Sequence, residues 1–233
     1  KLIVVEGIYS MLGDKAPLAE FVAVKKKYEN VYLLSDEAHS MGVCGRYGRG
    51  VPEEAGVEDD VDFIVGTFSK SVGTVGGFCV SNHPSFDTLR LVTRAYIFTA
   101  SLPPSVVASA TVNLEIIKNG GVLRKRIERN SQQLHSGLSA LGLKIASGVS
   151  PVVAVVAPDP VTALAFWRGL IEAGVYVNLA LPPATPFGYC LLRASICAAH
   201  TEEQLDRVIA IFASVATKLG LIDTSMPKVA ARA

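Results

Sequence analysis

Four short apolar runs in the first 81 residues, each ending at small or polar residues, place the strongest limit on the fold. The runs are LIVVEG, VYLLSDEA, VDFIVGT and GGFCVS. Near-continuous apolar segments of this length are typical of strands that are buried on both faces of a sheet. The first three are separated by a helical pattern or a long loop, as parallel neighbours require, whereas only FSKSVGTV separates the last two, which favours an antiparallel pair. The sequence therefore predicts an α/β sheet.

The pattern changes after SLPPS. Two helical segments broken at NGG come next, and strands SPVVAVVA, VYVNLA and YCLLRASI then alternate with helices PVTALAFWRGLIEAG and TEEQLDRVIAIFASVATKLG. Thr201 suits the N-cap of the last helix and Gly220 suits its C-terminal end. We therefore expect two domains, a large α/β domain over residues 1–105 and a smaller α+β domain over residues 106–233.

Composition excludes several classes of protein. Half of the 233 residues are hydrophobic and 18% are charged, which fits a packed globular chain. A formal net charge of +1 gives no electrostatic support for nucleic-acid binding, and no apolar run is long enough to span a membrane. The four cysteines lack metal-ligand spacing; we expect Cys79 and Cys197, which lie in apolar runs, in the core, and a reducing cytoplasmic compartment.

Polar residues collect where the second strand ends, which is where open α/β sheets bind ligands. Asp36 and His39 lie there, three residues apart, and can address two sides of one ligand; a turn-capping acid and a loop histidine are the alternative. The letters DEAH are also a helicase signature. The phosphate loop that a helicase needs, G-x-x-x-x-G-K-[ST], does not occur in this sequence.

A lysine lies among small residues after the third strand, in GTFSKSVGTVGG. Thr67, Ser69 and the loop amides offer a phosphate cradle, and Lys70, partly desolvated beside it, has the surroundings of an amine that forms Schiff bases. A solvated surface lysine is the usual alternative. The glycines just beyond favour close backbone approach over a solvated helix.

An arginine lies inside an apolar strand of the second domain. Arg193, in YCLLRASI, needs a carboxylate partner, from either the protein or a substrate. Thr99 and Ser101 precede a double proline and on their own indicate a turn. An acid, an imidazole, a phosphate cradle, a lysine amine and an arginine are together the groups that a pyridoxal 5'-phosphate (PLP) site requires.

The same stretches resemble the α-oxoamine synthase family of PLP enzymes, which have the fold type I, aminotransferase-like architecture. The matching stretches are EGIYSMLGDKAPL, DEAHSMGVCGRYGRG, GTFSKSVGTVGG, FTASLPPS and LLRASICAAHT, which span nearly the whole chain. The resemblance implies a large domain with a mostly parallel sheet, here lacking its amino-terminal part, and a smaller C-terminal α+β domain. It also implies PLP as the cofactor, held as a Schiff base.

The resemblance assigns a role to each catalytic candidate. Lys70 is the Schiff-base lysine and moves protons, Asp36 is the partner of the pyridine nitrogen, and His39 is bonded to the 3'-oxygen of the cofactor. Arg193 binds the carboxylate of the amino-acid substrate.

The hydroxyl residues are assigned to cofactor binding by the same resemblance. Thr67 and Ser69 bind the phosphate, and Ser10, in the YSM stretch, lies near the ring. Thr99 reaches the phosphate in the neighbouring subunit, which implies a homodimer with shared active sites.

The implied reaction is a decarboxylative condensation of an amino acid with an acyl-CoA thioester. TFSKSVGTVGGF, YIFTASLPPSVVA and PPATP are most similar to bacterial members that convert L-serine and palmitoyl-CoA to 3-ketodihydrosphingosine, CoA and CO2. Members that use acetyl-, pimeloyl- or succinyl-CoA are the alternative. In the serine-using members an arginine precedes the double proline, where Leu181 stands here, so the amino-acid specificity stays open. A long-chain substrate would suit peripheral membrane contact, although no basic amphipathic helix predicts it.

Family chains are longer at the amino end, where they carry a ring-stacking histidine and a glycine-rich segment. The present sequence opens with Lys1 inside the first apolar run, without an initiator methionine or signal peptide. We therefore expect a longer protein and little activity from these residues alone. An inactive fragment or a non-catalytic subunit is the remaining alternative, although regulatory subunits of the family lose the lysine that is retained here as Lys70.

Overall fold

The computed structural model describes residues 1–222, so the end of the predicted second domain, residues 223–233, lies outside the described residues. The chain divides into two compact units. Unit 1 consists of Lys1–Ser10 and Lys15–Lys125, and unit 2 consists of Met11–Asp14 and residues 126–222. The division between Lys125 and Arg126 falls later in the chain than the predicted boundary at residue 105.

Unit 1 contains a four-stranded sheet in the order β1-β2-β3-β4. The strands β1, β2 and β3 are parallel, and β4 runs antiparallel to β3, as its short connection predicted. The α/β fold class is confirmed. The strands are β1 (Leu2–Glu6), β2 (Tyr32–Asp36), β3 (Phe63–Thr67) and β4 (Gly77–Val80). The helices are α1 (Leu18–Lys25), α2 (Val51–Glu54), α3 (Phe86–Val92), α4 (Arg94–Ile97), α5 (Pro104–Asn119) and α6 (Gly121–Ala140), which continues into unit 2.

The apolar strands of unit 1 are less buried than their sequences predict. Leu2 and Val4, on the outer strand β1, are 54% and 61% exposed, and Cys79, on the outer strand β4, is also exposed. The prediction that Cys79 lies in the core is wrong, since three of the four residues of β4, Cys79 among them, are exposed. The core of unit 1 is formed instead around Ile8 and Leu18, which are fully buried.

Unit 2 contains a three-stranded antiparallel sheet in the order β5-β7-β6. Its core includes Leu192 of the central strand and the rings of Phe166 and Phe212, which meet edge to face at 5.6 Å between centroids. Cys197 follows this strand and is exposed, contrary to prediction, because it has passed out of the sheet. The remaining elements are β5 (Val152–Ala157), α7 (Pro160–Glu172), β6 (Asn178–Ala180), β7 (Cys190–Ser195) and α8 (Glu202–Lys218).

The helix ends of unit 2 follow their local sequences. Asp159 begins α7, and its carboxylate accepts hydrogen bonds from the amides of Val161 and Thr162. Thr201 begins α8, as predicted, and exchanges side-chain and main-chain hydrogen bonds with Gln204 in a capping box. No helix within residues 1–222 has the length and apolarity needed to cross a lipid bilayer.

Candidate active site

The lysine after β3 and the histidine after β2 are brought together at the edge where these two parallel strands end. Lys70 Nζ lies 2.8 Å from His39 Nε2. Main-chain hydrogen bonds fold the lysine loop back on itself, from Gly73 N to the Lys70 carbonyl at 3.0 Å and from Thr74 N to the Phe68 carbonyl at 2.8 Å. Because an amine and an imidazole nitrogen at this distance can share one hydrogen, the pair can pass a proton.

Lys70 is exposed, whereas its sequence surroundings predicted partial burial. The reason is local, since the lysine lies on an open loop whose flanking residues Ser69 and Ser71 are exposed as well. An exposed amine leaves space around its reactive nitrogen, which an incoming aldehyde requires.

A carboxylate ends each of two adjacent strands beside the lysine loop. Asp36 is the last residue of β2, and its Oδ1 accepts a hydrogen bond of 2.9 Å from the amide of Ala38. Glu6 is the last residue of β1, lies opposite Asp36 in the strand register, and accepts a 3.1 Å hydrogen bond from the amide of Ser10. Glu6 was not among the predicted site residues, although an acid that closes the apolar run LIVVE is a detectable signal.

Two hydroxyl groups lie together just before the lysine. Thr67 Oγ1 and Ser69 Oγ are 2.7 Å apart, and the amide of Ser69 donates a 3.2 Å hydrogen bond to Thr67 Oγ1. The Thr67 hydroxyl also donates to the carbonyl of Gly76, at 3.2 Å. Hydroxyl and amide groups that converge in this way can bind an oxyanion such as a phosphate.

The remaining hydroxyl candidates lie in other parts of unit 1. Thr99 follows α4 in an exposed segment, and its hydroxyl donates a 2.5 Å hydrogen bond to the carbonyl of Ala95. Ser101 is also exposed. Ser10 follows β1, where its amide is held by Glu6 as described above. The reach of Thr99 to another subunit stays a prediction.

Arg193 belongs to unit 2, where it lies on the central strand β7. Its Nη1 donates a 3.1 Å hydrogen bond to Ser195 Oγ, and burial lowers the pKa of the half-buried guanidinium from its ordinary value. Because arginine is protonated throughout the neutral range, the group stays cationic. It lines a cavity of about 440 Å³ together with Tyr176, Asn178 and His200. A cationic side chain in such a cavity can bind a carboxylate.

Leu181 is used for packing. Its side chain is partly buried against the apolar core of unit 2. A leucine side chain carries neither a charge nor a hydrogen-bond donor. Leu181 therefore cannot bind a carboxylate as an arginine at this position would.

The groups after β2 and β3 fit PLP chemically. They comprise an amine for an aldehyde carbon, a carboxylate for a protonated pyridine nitrogen, an imidazole, and two hydroxyls with an amide for a phosphate. Within residues 1–222, no group of three His, Cys, Asp or Glu side chains has the arrangement to hold a metal ion. The amine, the carboxylate, the imidazole and the hydroxyls together suit an organic cofactor with an aldehyde and a phosphate.

The α/β fold and this set of groups are typical of PLP-dependent enzymes with an aminotransferase-like fold. Comparison with known families agrees with that class. The model of the aminotransferase class I and II family matches residues 1–212. The chain belongs to that family, which confirms the predicted fold type.

The relatives indicate which branch of the family the chain resembles. Serine palmitoyltransferase from Caulobacter vibrioides (strain NA1000 / CB15N) is 56% identical over 223 residues, which are 96% of this chain and 55% of the relative. The 8-amino-7-oxononanoate synthase of Geobacter metallireducens is 35% identical over 224 residues, 95% of this chain and 57% of that enzyme. Both belong to the α-oxoamine synthases, so the predicted resemblance is confirmed.

A solved structure agrees with the sequence relatives. A chain described as SPT (serine palmitoyltransferase) with PLP internal aldimine has a TM-score of 0.91 and 52% identity, and the match covers 95% of this chain and 56% of that chain. The chain thus spans just over half the length of the relatives that it matches.

Proposed function

We propose that the complete gene product containing this sequence is a PLP-dependent acyltransferase of the serine palmitoyltransferase type. It condenses L-serine with palmitoyl-CoA and yields 3-ketodihydrosphingosine, CoA and CO2, the first step of sphingolipid synthesis. The observation that carries the proposal is the 56% identity to a serine palmitoyltransferase over almost all of this chain, with the amine and imidazole of the site 2.8 Å apart. We place the reaction in the cytoplasm.

The proposed division of labour follows from the chemistry of each group. When bound, PLP supplies an electron sink for the bonds at the amino acid's α-carbon. Lys70 is the amine to which the cofactor is attached, and it moves protons with His39 as its hydrogen-bonded neighbour. Asp36 holds a proton on the pyridine nitrogen through its negative charge. Thr67 and Ser69 bind the phosphate when their hydroxyl hydrogens, which here are bonded to the Gly76 carbonyl and within the pair, turn toward it.

The substrate side of the proposal involves unit 2. Arg193 binds the amino acid's carboxylate through its guanidinium. Without a second arginine at position 181, one cationic group carries that contact. We therefore expect that removing the carboxylate from the substrate raises KM by less than it would if two arginines bound that group.

The proposal is tested on the complete gene product, purified and loaded with PLP. CoA thiol release is measured with L-serine, glycine and L-alanine, each paired with palmitoyl-, acetyl-, pimeloyl- and succinyl-CoA. The expected result is the highest kcat/KM for L-serine with palmitoyl-CoA. A higher value for glycine with acetyl-CoA, for L-alanine with pimeloyl-CoA or for glycine with succinyl-CoA would instead identify a glycine C-acetyltransferase, an 8-amino-7-oxononanoate synthase or a 5-aminolevulinate synthase, respectively. No thiol release with any pair would favour a non-catalytic subunit.

We also propose that the protein is a homodimer and that the exposed apolar segment α3–α4 with the residues just after it forms part of the interface. Leu91 is 72% exposed and Phe98 is 93% exposed, and the predicted trans-acting residue Thr99 is adjacent. Large exposed apolar side chains in one segment are typical of a surface that a partner covers.

The interface is tested by light scattering on the Phe98→Asp variant of the complete gene product. The expected mass is that of a monomer, because a buried, unpaired carboxylate would destabilise the interface. Phe187→Asp is the matched control, since Phe187 is 82% exposed in unit 2. A Phe98→Asp variant that stays dimeric would exclude this segment from the interface.

A further inference from the structure

Glu37 stands out because a charged side chain is completely buried next to the candidate site. It follows Asp36 directly and is 0% exposed. Within residues 1–222 it is the only charged residue in the buried class, whose other polar members are serines, a threonine and an asparagine. A buried carboxylate is costly unless donors compensate it, so its retention here requires a reason.

Three donors surround the carboxylate of Glu37. Oε1 accepts a 2.5 Å hydrogen bond from Ser35 Oγ, and Oε2 accepts hydrogen bonds from Ser40 Oγ and, at 2.8 Å, from the amide of Val51. Burial raises the pKa of the Glu37 carboxyl, the nearby charge of Asp36 acts in the same direction, and these three hydrogen bonds act against it. The donors therefore hold the carboxylate in its place.

Two glycines leave room for this carboxylate. A Cβ atom on Gly7 would lie 2.5 Å from Glu37 Oε2, and one on Gly50 would meet the same oxygen even more closely. Gly50 also has a φ of 107°, a conformation that other residues rarely adopt. The space around Glu37 is thus shaped by residues from β1's end and from the start of α2.

The hydrogen bonds of Glu37 bracket the two predicted cofactor residues. Its two side-chain oxygens contact Ser35, just before Asp36, and Ser40, just after His39. Its main-chain amide donates to the Val65 carbonyl of β3 at 2.8 Å, and its carbonyl accepts from Ser40 N and Met41 N at 3.2 and 2.9 Å. One residue therefore fixes both ends of the turn that carries the carboxylate and the imidazole.

We propose that Glu37 is a positioning residue of the candidate site, and that its carboxylate holds the turn from Ser35 to Ser40 so that Asp36 and His39 keep the orientation that the cofactor requires. Glu37 acts through these two residues. The inference rests on the proposed function, because it assumes that PLP is the cofactor that the turn receives.

The test uses the complete gene product and measures three quantities for each variant: the Kd of PLP, the visible circular-dichroism band of bound PLP, and the Tm. Glu37→Ala removes both side-chain acceptor oxygens, and we expect the Kd to rise about tenfold or more and the dichroic band to change in sign or intensity. Glu37→Gln keeps the shape of the side chain and one acceptor oxygen. The NH2 group of the new side chain can donate a hydrogen bond to the Ser35 hydroxyl. We therefore expect this variant to restore both readouts largely.

Glu53→Ala is the matched control. Glu53 is also a mostly buried carboxylate, with 8% of its side chain exposed, and it accepts 2.9 Å hydrogen bonds from the amides of Tyr47 and Arg49. Its contacts lie outside the turn from Ser35 to Ser40. We expect it to lower the Tm while leaving the Kd of PLP and the dichroic band unchanged.

Each outcome decides a separate question. Glu37→Ala with wild-type Kd and dichroism overturns the positioning role, as do equal changes in Glu37→Ala and Glu53→Ala. If Glu37→Ala is not recovered folded, Ser40→Ala removes one donor and carries the same comparison. Wild-type protein that takes up no PLP refutes the proposed function itself, which the variants do not address.

Discussion

The two sheets of this chain differ in how completely their strands are covered. In unit 2 the central strand β7 is buried along most of its length, and β5 has five buried positions out of six. In unit 1 all five residues of β3 are half-buried, and β1 has a single buried residue. The candidate catalytic groups Lys70 and His39 follow strands of the more open sheet.

This difference separates two ways in which the chain uses its residues. Unit 2 is organised around side-chain packing, with Phe166, Leu192 and Phe212 fully buried. Around the candidate site, unit 1 is organised by hydrogen bonds within turns, among them those of Glu37. We therefore expect substitutions in the turns of unit 1 to change chemistry more than stability, and core substitutions in unit 2 to do the reverse.

The largest expected effect is that of Lys70→Ala. Removing the amine should abolish borohydride trapping of PLP and lower kcat/KM by at least about 10³-fold, since the group serves both attachment and proton transfer. Stability should change by less than about 0.5 kcal/mol, because the side chain is exposed. Trapping is read by intact mass after reduction, and stability by denaturant unfolding.

Lys118→Ala is the control for that variant, because Lys118 is an exposed lysine of α5 with 62% of its side chain accessible. It should retain both trapping and activity. A Lys70→Ala protein that still gives the reduced adduct would show that Lys70 is not the amine that attaches PLP. The expectation that turn substitutions in unit 1 change chemistry more than stability would then lose its main support.

Cysteine labelling compares the outer strand β4 with the buried positions. Burial raises the pKa of Cys44 to about 12, so at pH 8 its thiolate fraction should be about 10³-fold below that of an ordinary thiol. Cys79 is exposed, although partial burial also raises its pKa. In unit 2, Cys190 is buried and Cys197 is exposed. Peptide mapping after iodoacetamide should therefore find Cys79 and Cys197 alkylated well before the other two.

The raised pKa of Cys44 also predicts the direction in which folding stability changes at alkaline pH. The folded chain keeps the Cys44 proton above the pH at which the unfolded chain loses it, so this contribution to stability is complete below about pH 9 and falls as the pH rises toward 12. A Cys44→Ala variant should lose less stability than the wild type across that range.

Slow alkylation of Cys79 at pH 8 in the labelling experiment would show that β4 is covered in the complete gene product.

Local sequence patterns predicted which segments form helices and strands. The burial and the contacts of individual side chains depend on neighbouring segments, which these patterns do not show. The reversed direction of β4 followed from its short connection, and the meeting of Lys70 with His39 followed from the common edge at which β2 and β3 end. The exposure of Leu2 was not predictable, because the apolar run does not show which face of β1 is covered: Leu2 and Val4 share an exposed face, whereas Val5 on the other face is buried. Nor were the hydrogen bonds of Glu37, since its Val51 donor lies 14 residues away along the chain.

A matched pair of leucine substitutions measures the difference between the two sheets directly. Leu192→Ala empties a fully buried position of β7 and should lower the free energy of unfolding by about 2–5 kcal/mol. Leu2→Ala makes the same chemical change at a half-exposed position of β1 and should cost no more than about 0.5 kcal/mol. Both are measured by denaturant unfolding of the complete gene product. Similar costs for the two variants would show that β1 is covered by another segment or subunit.

An expected effect smaller than that of Leu192→Ala is that of Thr201→Ala at the start of α8. The Thr201 hydroxyl accepts a 3.2 Å hydrogen bond from the amide of Gln204, and Gln204 Oε1 accepts one of 3.0 Å from the amide of Thr201. Losing the hydroxyl should cost about 1 kcal/mol, because one amide of the first turn loses its partner. Thr201→Ser keeps the hydroxyl and should restore most of that stability. Because the cap lies in unit 2, the Kd of PLP should stay at the wild-type value; a changed Kd would mean that the site in unit 1 depends on unit 2 more closely than the contrast between the sheets implies.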